Sequence, residues 1–359
     1  MTTFRSSRVS PLLRRLLRPV LDPYRRYRNA RVIHAVRVSL GLLATILLTT
    51  GINLPHGEWA SVTMLVVIGG LQHHGNIGKK AAERAYGTLI GAGVGLLLVV
   101  QHAWLGLPWL TYFGMSVVCG FFSYHAIGKG GYTALLSAIT VFIVAGHGDN
   151  PITDGLWRTV DILIGIALAL AFSFALPLYA VYSWRYKLAS ALRDCASIYS
   201  RIVSGQSVTD DHYLTLLGRL NGVMVQLRSL MPSVSKEVRI SMTELDGLQR
   251  NLRMCISTLE ILANTRPDAR DAQAMAQLQW ALKAEHQQIR RMLIGMARAL
   301  QSGTTQRLER TLDEPVAPTA MDEPVYSALD GYRLLTRQLA ANLSDMSQRL
   351  VKTAPHWKI

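Results

Sequence analysis

Residues 32–181 hold only six basic and five acidic side chains, and six apolar segments divide that block. The segments run over 34–53, 58–74, 84–101, 107–125, 131–147 and 157–178. A helix needs ~20 apolar residues to cross a hydrocarbon layer about 30 Å thick. Several segments are shorter, and polar or glycine-rich ends extend them. A buried soluble core is the alternative, but six such segments joined by short loops argue against it. The sequence therefore predicts an all-α polytopic membrane protein with six transmembrane helices.

The formal net charge is +15, with a pI near 10.0, which raises nucleic acid as a partner. The placement of the charge argues otherwise. Residues 1–31 carry nine arginines against Asp22, and residues 182–359 carry 23 basic and 17 acidic side chains. The expected organisation is a basic N-terminal arm (1–31), a six-helix transmembrane domain (32–181) and a cytoplasmic helical domain (182–359). The arm lacks the short apolar core and small-residue cleavage site of a signal peptide. Its arginines suit anionic lipid headgroups better than nucleic acid.

Loop charges alternate. Lys79, Lys80 and Arg84 lie between segments 2 and 3, Lys129 lies between 4 and 5, and Arg185 and Lys187 follow segment 6. The other three loops, "NLPHGE", "QHAWLGLP" and "GHGDNPITDG", hold no Lys or Arg. By the positive-inside rule both termini are cytoplasmic, as in a multi-pass protein of a bacterial inner membrane. Trp59, Trp104, Trp109 and Trp157 all fall at the opposite edge, where an interfacial aromatic belt belongs.

Residues 182–359 read as amphipathic helices over 182–204, 209–231, 240–264, 267–303 and 322–352, broken by "SGQS", Pro232, "TRPD" and "DEPVAPTAMDEP". No phosphate loop, nucleophile elbow, HExxH or paired-carboxylate site occurs, so neither an enzyme nor a cofactor is expected. Cys119, Cys195 and Cys255 lack metal-ligand spacing and read as reduced thiols. His73 and His74 are adjacent and point to different helix faces, so no metal site is assigned.

An internal echo supplies the candidate site. "RAYGTLIGAGVGL" (84–96) aligns with "RTVDILIGIALAL" (158–170) at one constant offset, pairing Arg84 with Arg158 and Gly91 with Gly165. Each copy opens the third segment of a three-segment half. Three spans reverse the chain across the bilayer, so the halves would be two inverted three-helix repeats, a plan that puts a transport site near the repeat interface. On a helix, Arg84, Gly87, Gly91 and Gly95 share a face. So do Arg158, Asp161 and Gly165, with Asp161 placed as an ion-pair partner for Arg158. Thr133, Ser137 and Thr140 form a hydroxyl stripe on segment 5. An ionisable group in a membrane costs at least ~2.5–3.5 kcal/mol on insertion scales and usually faces a polar path. The pathway residues expected are thus Arg158, Asp161, Arg84, Gly87, Gly91, Gly165, Thr63, Thr133, Ser137 and Thr140, with Asp161 or Glu83 available for proton coupling. Plain small-residue helix packing, snorkelling of Arg37 and Arg84 and a structural Arg158–Asp161 pair are competing readings.

"EWASVTMLVV" (58–67), "GNIGKKAAERAYGTLIGAG" (75–93), "GKGGYTALL" (128–136), "LWRTVDILIG" (156–165) and "SKEVRI" (235–240) resemble the fusaric acid resistance and aromatic acid exporter superfamily, in its short bacterial inner-membrane form. Plant aluminium-activated malate transporters are distant relatives of that group. The resemblance implies six spans with a cytoplasmic helical domain, and outward transport of organic anions, typically aromatic carboxylates. It carries over to Trp59, Thr63, Lys80, Arg84, Gly87, Thr88, Gly91, Trp157, Arg158, Asp161 and Gly165. Longer members carry two membrane halves in one chain and this chain carries one, so a homodimer is implied. The expected function is secondary export of an organic anion. The alternatives are a passive organic-anion channel and a non-transporting scaffold whose cytoplasmic helices bind a partner.

Overall fold

The computed structural model of the chain describes residues 23–69, 73–128, 130–146, 151–204, 211–265, 280, 282–306, 308–309 and 327–357. Most of the basic arm, residues 1–22, lies outside them, as do Lys129, residues 147–150 and the "DEPVAPTAMDEP" segment. Among the described residues the regular structure is helical, without strands. The chain forms two compact units, residues 28–178 and the remainder.

The apolar unit holds α2 (Ala30–Gly51), α3 (Glu58–Ile68), α4 (His74–Leu105), α5 (Pro108–Ala126), α6 (Gly131–Ala145) and α7 (Ile152–Ala175), after a short α1 (Pro23–Arg28). Among the described residues, three helical stretches are long and apolar enough to cross a membrane: Ala30–Gly51, His74–Leu105 and Thr153–Ala175. Two are short. At 1.5 Å per residue, the 11 residues of α3 rise about 16 Å and the 15 of α6 about 22 Å, less than the hydrocarbon thickness of about 30 Å. These short helices are the inner ones: Ala60, Thr63, Met64, Val67 and Ile68 of α3 have no exposed surface. Helix α5 is peripheral, with Thr111 and Met115 its buried residues.

The most extensive pairings are α4 with α6 and α3 with α7. Helix α2 packs on α3 and α7, and α5 packs on α6 and α4. Helix α4 also crosses α7 and touches α3, and α6 touches α7.

Two boundaries differ from the sequence reading. Lys79, Lys80, Glu83 and Arg84, expected in or beside a loop, are all inside α4. The alanines at 81 and 82 favour helix, and Lys79 pairs with Glu83 at 3.6 Å one turn on. Pro232 does not end its helix either.

The second unit contains α8 (Ala180–Val203), α9 (Asp211–Val238), α10 (Met242–Asn264), α11 (Lys283–Ser302) and α12 (Ser327–Thr353), closed by a 3₁₀ turn at Ala354–Trp357. Helix α8 packs on α9, α10 and α11, and α12 packs on α10 and α11. Helix α9 runs through Pro232, where an interior proline costs about 3 kcal/mol. Full burial of Met231 and Val234 on either side offsets that cost. Ser241 caps α10 by accepting the Glu244 backbone N–H at 3.3 Å, so the register follows from "SMTE" itself. The described end of the basic arm belongs to this unit: Tyr24 meets Tyr186 edge-on, Tyr27 lies tilted against the same ring, and Arg26 lies 5.6 Å from the Tyr179 ring centre. Cys195 and Cys255 are remote in sequence but fully buried side by side, and the neighbouring thiol raises the Cys195 pKa well above its usual value.

His286 of α11 sits in this core, 2.6 Å from the Tyr199 hydroxyl and edge-on to Tyr332. Burial pushes its pKa down from 6.5 to about 4. The folded state therefore disfavours the imidazolium, and the unfolded chain binds more protons between those values. Stability is full above pH 6.5 and falls as pH drops toward 4, by up to about 3 kcal/mol. Unfolding of the detergent-solubilised protein followed by circular dichroism should show this slope, and His286→Phe should flatten it.

Candidate functional site

Arg84 and Arg158 of the apolar unit each reach across to a neighbouring helix. Arg84 is 3% exposed on α4 and donates Nη2 to Thr63 Oγ1 of α3 at 3.4 Å, while its Nε has no partner. One turn back, the Lys80 ammonium lies 5.5 Å from the centre of the Tyr132 ring on α6. Arg158, half-buried on α7, donates Nη1 to the Ile143 carbonyl in the last turn of α6. That carbonyl is among the last four of its helix, where a cation favours the negative end of the helix dipole. Each arginine thus rises from a long helix and reaches a short one.

Arg158 and Asp161 share a face of α7, but they do not form the expected ion pair. Arg158 turns to the α6 carbonyl. Asp161 has no exposed surface, and neither of its carboxylate oxygens has a hydrogen-bond partner. Snorkelling is not seen at Arg84 or Arg37. Arg37 is 1% exposed and bonds His34 Nδ1 at 3.0 Å, while His34 Nε2 lies 3.3 Å from the Gly69 carbonyl oxygen. Glu83 is held in its surface pair with Lys79, a pairing worth little in itself.

The glycines serve close packing. A Cβ on Gly91 would lie 2.5 Å from the Ser137 carbonyl oxygen and 2.6 Å from Thr140 Cβ. One on Gly87 would lie 2.8 Å from the Thr133 carbonyl oxygen. One on Gly165 would run into the Ala60 carbonyl oxygen and approach Thr63 Cβ to 2.9 Å. The glycine face of α4 is therefore filled by α6, and Gly165 of α7 by α3. The hydroxyl stripe is largely satisfied within its own helix: Ser137 donates to the Thr133 carbonyl at 3.0 Å and Thr140 to that of Leu136 at 2.8 Å. Thr133 and Ser137 also line an open groove of about 760 Å³, together with Phe121, Phe122, Tyr124 and His125 of α5. Thr88, fully buried beside Gly87 and Gly91, leaves its hydroxyl without a partner.

A further cluster went unread in the sequence. His56, in the turn before α3, lies 3.6 Å from Asp154 of α7 and 3.9 Å from Glu58. The signal was the spacing of Asp154, Arg158 and Asp161, at i, i+4 and i+7 on one helix face. The C-terminal unit carries a separate basic groove of about 1210 Å³, lined by Arg290, Arg291 and Arg298 of α11. Among the described residues no group of three or more His, Cys, Asp or Glu side chains could hold a metal ion.

A family model described as the fusaric acid resistance protein family matches residues 31–355. Inner membrane protein YeeA of Escherichia coli strain K12 is 30% identical to the chain over 290 residues, covering 80% of this chain and 81% of that protein.

Proposed function

The chain belongs to the fusaric acid resistance protein family, and from that premise we propose that it is a multi-pass inner-membrane exporter of organic anions, foremost aromatic carboxylates, working by secondary transport as a homodimer with both termini in the cytoplasm. The observation that carries this reading is the pair of arginines inside an apolar unit, Arg84 bonded to Thr63 and Arg158 to Ile143. Cations there attract a carboxylate, and their hydrogen bonds to neutral groups leave their charge available to one.

Six spans in two inverted halves suit the packing. Exchanging α2 with α5, α3 with α6 and α4 with α7 converts each helix pairing of the apolar unit into another that is present. The contacts of Gly165 with Ala60 and Thr63 then correspond to those of Gly91 with Ser137 and Thr140. Short helices in corresponding positions of two halves are a pointer to a transport site, and α3 and α6 are that pair. The aromatic rings and hydroxyls of the α5–α6 groove offer a planar anion both stacking and hydrogen bonding.

The test is flux of labelled 4-hydroxybenzoate in inverted membrane vesicles. Arg84→Ala and Arg158→Ala should each lower it by about tenfold or more, equivalent to at least about 1.4 kcal/mol. Unchanged flux in both variants would reject the site. Unitary currents in planar bilayers without a proton gradient would identify a channel instead.

A further inference from the structure

Asp161 is the most costly side chain in the apolar unit as an anion. It is fully buried and both oxygens lack hydrogen-bond partners. An ionised carboxylate in that condition is strongly disfavoured against the neutral acid. Helix α7 packs against α2, α3, α4 and α6, so the groups these elements present decide what can relieve it. His56, in the turn before α3, lies 3.6 Å from Asp154, which shares a face of α7 with Asp161 two turns further on, and Glu58 opens α3. Arg84 of α4 is bonded to Thr63, and His102 of α4 to Thr111 at 3.1 Å. Arg37 of α2 is bonded to His34, and Tyr132 of α6 lies beside Lys80. On α7 itself, Arg158 is committed to the Ile143 carbonyl, and Asp154 faces His56.

The His56 cluster is built rather than incidental. His56 has φ 60° and Asn53 φ 47°, both in left-handed backbone. The bent turn sets the imidazole between Glu58 and Asp154. The side chains of His56 and Asp154 keep about a third of their surface exposed and Glu58 more, so the cluster meets water while Asp161 does not.

We propose that Asp161 is a proton-binding carboxyl loaded and unloaded through the His56–Glu58–Asp154 cluster. The step is a proton transfer alone: His56 takes a proton from water and releases it inward, Asp161 gains it as a neutral acid, and the reverse path returns it. Resting on the exporter reading above, this proton is the one bound together with the anion, since a neutral Asp161 does not oppose a carboxylate held by the arginines and an ionised Asp161 repels it.

Infrared difference spectroscopy on the full-length protein in lipid tests the proton site without any anion. A protonated-carboxyl C=O band should titrate in the unaltered protein and be missing in Asp161→Asn. In His56→Gln the band should remain, with its hydrogen–deuterium exchange slowed by roughly tenfold or more. A band that persists in Asp161→Asn, or exchange unaffected by both His56→Gln and Glu58→Gln, would overturn the proposal. The two exchange variants decide the question if Asp161→Asn does not fold. Vesicle flux of 4-hydroxybenzoate then separates the two readings. Counterflow retained in Asp161→Asn with loss of gradient-driven flux supports coupling, and gradient-driven flux in that variant refutes it. No flux from the unaltered protein beside a titrating Asp161 band refutes the exporter reading while the proton site stands.

Discussion

Gly165→Leu is expected to leave no folded protein in the membrane, and Gly91→Leu likewise. At both positions the first atom of any side chain meets backbone. The Cβ would run into the Ala60 carbonyl oxygen at Gly165 and stand 2.5 Å from the Ser137 carbonyl oxygen at Gly91. Backbone inside a packed helix pair cannot give way as the end of a side chain can, so α3 would have to leave α7, or α6 leave α4. These are the two most extensive pairings of the unit, and in lipid they rest on close packing and not on a hydrophobic drive. Overpacking a core by a few methylenes already costs about 1–3 kcal/mol, and here an isobutyl group enters a space without room for a methyl. Gly91→Ala and Gly165→Ala should still lower the thermal midpoint sharply in detergent. Gly93→Ala is the control: nothing lies within 4 Å of its Cβ position. Replacing that helical glycine should be neutral or stabilising by up to about 1 kcal/mol. Equal melting of the Gly93 and Gly165 alanine variants would show that the glycine faces are not tight.

The second large effect is expected at Arg185 in the C-terminal unit. This side chain is 4% exposed on α8 and donates Nε and Nη2 to the Leu300 carbonyl, at 3.0 and 2.7 Å, and Nη1 to that of Trp357 at 3.3 Å. Its guanidinium also lies 5.5 Å from the centre of the fully buried Trp357 ring. Burial lowers its pKa, yet arginine stays charged at any working pH. Gly303 ends α11 with φ 73°, and a Cβ there would stand 2.8 Å from Arg185 Nη2. That position thus needs glycine both for its left-handed turn and for the arginine. Replacing a buried ion pair by apolar groups can be neutral because both partners go. The acceptors here are main-chain carbonyls that no substitution removes. Arg185→Met should therefore destabilise the unit by about 3–4 kcal/mol. Arg185→Lys should recover little, because one ammonium cannot reproduce the planar fork across two carbonyls. Hydrogen exchange at residues 354–357 should rise in both variants, and protection unchanged from that of the unaltered protein would refute the role.

Much of the architecture was readable in order and type. The apolar segments match α2 to α7 to within a few residues at most ends, because hydropathy and glycine or proline punctuation act locally. The misreadings have a common cause. The charged run from Lys79 to Arg84 suggested a loop, but helix is decided by hydrogen-bonded neighbours and by the absence of a breaker, both of which the run satisfies. Pro232 suggested a stop, but burial of Met231 and Val234 outweighs one missing hydrogen bond. In the site, Arg84, Arg158 and Asp161 stood out as ions in an apolar block. Thr63 was legible too, but the carbonyl of Ile143 and the His56 cluster were not, because they come from other helices and turns.

The sequence by itself determined which residues are too apolar for water, which ions break that pattern, and that two arginine-led segments repeat. Those properties follow from composition and helical period, which any short stretch carries whole. Only the tertiary structure decided what the glycines are for and where the charges go. Gly91 and Gly165 are filled by α6 and α3, Arg158 bonds a carbonyl one helix away, and Asp161 is left without a hydrogen-bond partner. Hydrogen bonding and steric fit act over about 3 Å between chain segments far apart in sequence. Pairing at that range exists only once the helices have chosen their neighbours.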